Sequence, residues 1–275
     1  MPSLKVFAVA LAVFASLAQT AAPDALTRAR QLYNAGKFSE AAAAAAEARQ
    51  VPALANAAAV VYARARLEKY RESPDAADLD DARAALRQVD PSKLAPRDDI
   101  EYVIGLGVAV FLEGEAEKQV DRYGAAADFF DAALVRAVIV DEPARDKIFE
   151  WWATALDRQA QLRSDTDRKA TWQRIVQRAD LERARSDGAV SAMYWQVKAS
   201  AGAGDLERAW SGAVSTWIRA GKLGARGATL RRDLDKLVND VVLPERANAL
   251  APNGDPRAAL ATLVAEWEAH KKRWE

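Results

Sequence analysis

Apolar side chains recur along this chain in steps of three, four and three. Tyr123, Ala126, Phe130 and Ala133 are the clearest instance, and those steps place all four on one stripe of a helix. Phe38, Ala41, Ala45 and Ala48 repeat the spacing, as do Leu79, Ala82, Leu86, Val89 and Leu206, Ala209, Ala213, Thr216. The four starts fall 41, 44 and 83 residues apart, and the last interval is close to two periods. A degenerate copy is therefore expected near residues 164–172. A fixed period of this size marks a helical repeat array.

The intervening residues supply the helix boundaries. Asp24 to Ala35 reads as a helix closed by Gly36, which can take the left-handed turn that ends helices. A second helix opens at Lys37-Phe38 and runs through six consecutive alanines to about Gln50, before Pro52. Helices over 53–71 and 75–89 follow, the latter introduced by Ser73-Pro74-Asp75 and ended by Pro91 and Pro96. Helix 144–163 carries Trp151 and Trp152, and a long helix from the capping sequence Ser164-x-x-Asp167 reaches about Arg185. The spans 189–202 and 205–220 form the next pair. Gly221–Gly227 reads as a turn, helix 228–240 as ending before Pro244, and 256–273 as a last helix. That helix puts Leu260, Leu263, Val264, Trp267 and Trp274 on one side, with a polar opposite face that suits a terminal cap.

Between these, Val103, Leu106-Gly107 and Val110 fit the W-x2-L-G-x2-Y frame of a first repeat helix, with valine at both aromatic positions. Ala126 and Phe130 supply the A-x3-F of its partner, and the chain resembles a tetratricopeptide repeat protein over roughly residues 24–220. Gly36-x-Phe38-x-x-Ala41 and Gly204-x-Leu206-x-x-Ala209 resemble that family's turn between helices. Residues Glu115 to Arg122 hold about seven residues beyond the family spacing, either as longer helix or as loop. The resemblance implies an all-α solenoid of about five helix pairs over 22–220, with a helical cap over 221–275. A period above 40 also admits a HEAT-like or irregular solenoid.

The N-terminus adds a destination. Met1 to Lys5 is a short basic start, Val6 to Ala18 an apolar or small run, and Thr20-Ala21-Ala22 a small-residue site, the three parts of a secretory signal over 1–21. The run is short for a membrane span of about 20 residues, although an uncleaved anchor is the alternative. Export to the periplasm or beyond is the expectation, with no stable span after cleavage. The alanine- and arginine-rich style looks bacterial.

Charge and chemistry change this picture little. Lys plus Arg and Asp plus Glu stand at 39 each, so no strong field points to nucleic acid. Zero cysteines excludes disulfides and thiolate chemistry. The single histidine, His270, sits among lysines on the last helix and reads as a solvated residue rather than a catalytic one. Phosphate loops, G-x-S-x-G and H-E-x-x-H are all missing from the sequence. Asp80-Asp81, Asp98-Asp99 and Asp141-Glu142 could in principle serve glycoside hydrolysis, but each lies at a helix start or turn where acids favour the dipole. No catalytic residue, cofactor or metal is expected.

Tetratricopeptide arrays bind peptides or proteins on the concave face formed by first helices, and the resemblance implies such a scaffold. Projected onto this chain, it directs Arg30, Tyr33, Glu101, Ile104, Val108, Phe111, Tyr194 and Lys198 toward that face, with Trp152 as a further candidate. Eight tryptophans suit a helical core but could also stack on sugars, leaving an envelope glycan-binding or glycan-cleaving protein as a second reading. A structural subunit of an envelope complex is a third.

Overall fold

The computed structural model describes residues 24–252 and 254–275. The signal expected over 1–21 lies outside the described residues. Thirteen α-helices follow one another, and no strand occurs among the described residues. They are α1 (Ala25–Asn34), α2 (Phe38–Ala48), α3 (Ala55–Glu72), α4 (Ala76–Arg87), α5 (Pro96–Glu117), α6 (Val120–Arg136) and α7 (Glu142–Gln161). α8 (Asp165–Arg185), α9 (Val190–Gly202), α10 (Leu206–Ala220), α11 (Gly224–Leu237), α12 (Leu243–Leu250) and α13 (Arg257–Arg273) complete the chain. Each helix from α1 to α10 packs on the next. Odd-numbered helices also touch one another, α1 with α3, α3 with α5, α7 with α9 and α9 with α11. That is the packing of a helical solenoid.

The two turns that looked alike in sequence have the same geometry. Gly36 and Gly204 are left-handed, with φ of 73° and 85°. Past each glycine, the next backbone N–H reaches back five residues: Lys37 N donates to Leu32 O and Asp205 N to Ser200 O, both at 2.9 Å. These bonds satisfy the last free carbonyls of α1 and α9 and reverse the chain within three residues.

Glycines also explain the fit of α6 on α5. Phe130 and Tyr123, seven residues apart on α6, sit on Gly107 and Gly114, seven apart on the antiparallel α5. A Cβ at Gly107 would lie 2.7 Å from the Phe130 ring, and one at Gly114 would lie 3.1 Å from Tyr123. The residues beyond the family spacing, Glu115 to Arg122, are almost all helical. They carry α5 to Glu117 and start α6 at Val120, joined through Lys118 in a left-handed conformation (φ 53°).

The fourth copy of the stripe is on α8 as Trp172, Ile175, Ala179 and Glu182, starting at the end of the expected window. It closes on a buried carboxylate. Glu182 accepts from Arg145 Nε and Nη2 at 2.8 and 2.7 Å, from Arg185 at 3.1 Å and from Arg178 at 3.2 Å. Burial alone would push the Glu182 carboxyl up, but these guanidinium hydrogen bonds outweigh it and hold it at about 2.

The C-terminal segment departs from expectation in four places. The glycine-rich turn is shorter, because α11 already begins at Gly224. Pro244 does not end the helix: the chain passes through a π turn at Val238–Val242, and Pro244 then falls in the first turn of α12, where a missing N–H costs little. Trp274 is exposed rather than inward, while Trp267 is fully buried. Trp267 meets Trp210 and Trp217 edge to face, with ring centroids at 5.8 and 5.3 Å. His270 stacks on Trp267 at 5.6 Å and is half-buried, not the fully solvated residue its lysine neighbours suggest. Through Trp267, Leu263 and their neighbours, α13 closes the core begun by α10 and α11.

Candidate functional site

The side chains of the odd-numbered helices reveal which way the solenoid curls. Arg30 on α1 donates to Asp98 on α5 at 2.6 Å, reaching past α3. Arg71 on α3 lies over the Trp151 ring of α7 at 4.8 Å, reaching past α5. Arg226 on α11 donates to Asp146 on α7 at 2.9 Å, reaching past α9. Side chains on next-but-one helices meet only if the row of odd helices bends toward them. The odd-numbered helices therefore form the inner wall, strapped by arginine at three places.

Two depressions open on that wall. The first, of about 360 Å³, spans α1, α3 and α5 and includes Arg30, Tyr33, Arg64, Arg97 and Glu101 over a floor of Val60 and Val61. Arg64 pairs with Glu101, and its guanidinium lies 4.8 Å from the centre of the Tyr33 ring. Burial raises the Tyr33 phenol above its ordinary value. The second, of about 480 Å³, spans α7, α9 and α11, with Glu150, Tyr194, Trp195, Arg226, Leu230 and Asp233 in its walls. Burial, with Asp233 and Asp157 nearby, raises Tyr194 as well.

The nine residues projected onto the concave face divide accordingly. Arg30, Tyr33 and Glu101 come together in the first depression and Tyr194 lines the second. Lys198 is half-buried, paired with Asp157 at 2.8 Å and seated 4.4 Å from the Trp195 ring centre. Ile104, Val108 and Phe111 are not available to a partner, being only 5–7% exposed. The inward curl that lets Arg71 reach Trp151 also covers the inner face of α5. Phe111, which the helix frame alone did not need, packs edge-on against Tyr123 at 5.6 Å and Trp151 at 5.4 Å.

Trp152 is likewise buried, on the other side of α7. It packs against Phe149, with Arg174 and Arg178 of α8 across its ring. Trp151 takes the inward direction instead, stacked on Phe130 at 5.7 Å. Adjacent helix positions point about 100° apart, so two neighbouring indoles need two different neighbouring helices, and both find them.

Sequence reasoning does not place Arg64, Arg97, Glu150, Arg226 or Asp233 on the inner face. Arg64 lies on α3, whose first-helix register could not be set because no turn glycine follows it. The repeat frame directs other positions of α5 to that face and gives α7 and α11 no register.

The acidic pairs singled out in the sequence are engaged structurally. Asp81 pairs with Arg66 at 2.9 Å, Asp99 with Arg136 at 3.0 Å and Glu142 with Arg185 at 2.9 Å, while Asp141 caps α7 through Ala144 N at 2.9 Å. Among the described residues no cluster of three or more His, Asp or Glu side chains is arranged to hold a metal, and no helix is long and apolar enough to cross a membrane. The chain matches no family model, no curated protein and no solved structure.

Proposed function

We propose that this protein is an exported, non-catalytic scaffold of about five tetratricopeptide-like helix pairs with a C-terminal cap, holding a segment of a protein partner against its inner wall in the cell envelope. One observation carries the reading. The two depressions, of about 360 and 480 Å³, open on odd-numbered helices, each spans three of them, and each offers a half-buried tyrosine beside charged groups. Tyrosine combines contact area with few rotatable bonds and so contributes heavily to interface energy. The glycan reading has less support. Trp152, Trp195, Trp217 and Trp267 are buried, and Trp151 is stacked on Phe130 beneath Arg71, so none of these five presents a free indole face for a sugar.

The test is crosslinking capture from envelope extracts with the wild type and with Tyr33→Ala/Tyr194→Ala. A partner held at fixed stoichiometry by the wild type should be lost or weakened by more than about 1 kcal/mol in the double variant. The melting temperature should barely move. Undiminished capture at wild-type stability would remove the inner wall as the binding surface.

A further inference from the structure

The two depressions differ in charge. The first holds three arginines against two carboxylates, and two of those arginines, Arg30 and Arg64, are paired with them. The second holds two carboxylates, Glu150 and Asp233, and a single cation, Arg226. That cation is already engaged. Its Nη2 donates to the buried Asp146 at 2.9 Å and to Gly188 O at 3.0 Å. Among the described residues Glu150 and Asp233 have only loose charged neighbours on their own helices, Lys147 at 3.0 Å and Arg232 at 3.1 Å, whose side chains are 59% and 74% exposed. Pairs of that kind contribute little and yield to a competing cation.

The wall between the carboxylates is aromatic and apolar. Tyr194 and Trp195 stand perpendicular, 5.9 Å between ring centres, with Val190 and Leu230 beside them. The indole of this pair already accepts one ammonium, that of Lys198. Cations are attracted to such rings by the negative potential of the ring face.

Resting on the scaffold reading, we propose that the depression on α7, α9 and α11 receives a lysine or arginine side chain of the bound polypeptide. Glu150 and Asp233 answer its charge, and its methylene stem lies on Tyr194, Val190 and Leu230. Long basic side chains commonly bury their stems in this way while keeping the charged head among polar groups.

Fluorescence anisotropy with labelled hexalysine, hexaglutamate and spermidine tests this at low and physiological salt. Hexalysine should bind the wild type and weaken at least tenfold with Glu150→Gln/Asp233→Asn. It should be unaffected by Asp121→Asn/Asp240→Asn, which removes the same charge from exposed positions elsewhere. Tyr194→Leu should weaken binding and Tyr194→Phe should preserve it. Hexaglutamate should not bind. Equal loss in both charge variants would reduce the effect to diffuse attraction and overturn the proposal, as would no hexalysine binding at all. Spermidine binding as tightly as hexalysine would overturn the polypeptide occupant in favour of a free amine. The scaffold reading is tested separately: capture that survives Glu150→Gln/Asp233→Asn but not Tyr33→Ala/Tyr194→Ala keeps the scaffold and discards the basic side chain, whereas capture that survives both double variants discards the scaffold reading itself.

Discussion

The fully buried Phe130 ring occupies the space that a Cβ on Gly107 would need, 2.7 Å away. Phe130 was legible as core because it falls on the stripe with Ala126 and Ala133, and it is fully buried. What the pattern could not supply was its seat. Gly107 looked like one letter of a motif; in the fold it is the absence of a methyl that Phe130 fills. Phe130→Ala should cost about 3–5 kcal/mol. Gly107→Ala should cost about 1–3 kcal/mol by overpacking. Because the ring and Gly107 share one contact, Phe130→Leu combined with Gly107→Ala should cost less than Phe130→Leu alone plus Gly107→Ala alone. Urea denaturation of the set reads this directly, and additive losses would show that the ring does not rest on Gly107.

At the scale of the element, helices were legible and their polar cores were not. The weakest copy of the stripe ends on Glu182, and a carboxylate at a core position breaks any pattern built on apolar residues. Arg178 and Arg185 lie within one turn of it on α8, but Arg145, buried with it, comes from α7 and is 37 positions away, so no local reading of sequence finds that partner. The same holds at Pro244, where a π turn upstream absorbs a residue that ordinarily stops a helix. Glu182 makes a quantitative prediction. Its folded pKa of about 2 lies below its ordinary value of 4.5, so the ionised form is the one folding favours. The stabilisation, about 3 kcal/mol, is complete above roughly pH 4.5 and disappears as pH falls toward 2. The gap in melting temperature between wild type and Glu182→Gln should therefore be widest near neutrality and close between about pH 5 and pH 2. A gap that stays constant across that range would mean the charge of Glu182 contributes nothing.

For the whole molecule, the all-helical, consecutively packed architecture followed from periodicity, whereas curvature did not. A helical pattern reports which residues are buried but not how sharply one helix turns on the next, and that angle decides which residues line the inner wall. Arg30, Tyr33, Glu101 and Tyr194 remain at depressions in the wall, while Ile104, Val108 and Phe111 on the same face of α5 are covered by the bend. Arg30→Ala/Arg226→Ala removes two straps without touching the seams between consecutive helices. Small-angle X-ray scattering should show a larger radius of gyration for this variant with helix content unchanged; an identical scattering profile would mean the seams alone set the curl.

The straps also bear on cooperativity. In a linear array where each unit feels only its neighbours, the ends can open while the middle stays folded. Here Arg30 ties the first helix to the fifth, Arg71 the third to the seventh and Arg226 the eleventh to the seventh. Opening α1 or α11 breaks a contact two odd helices away, so each of these helices is coupled beyond its neighbour. The fifth and seventh helices do not form one of the odd-helix seams described above, yet Phe111 and Trp151 join them, and the overlapping ties carry coupling across that join from both sides. Fraying from the ends is penalised, and the array behaves less like a stack of separable pieces than like a coil whose turns are stitched together.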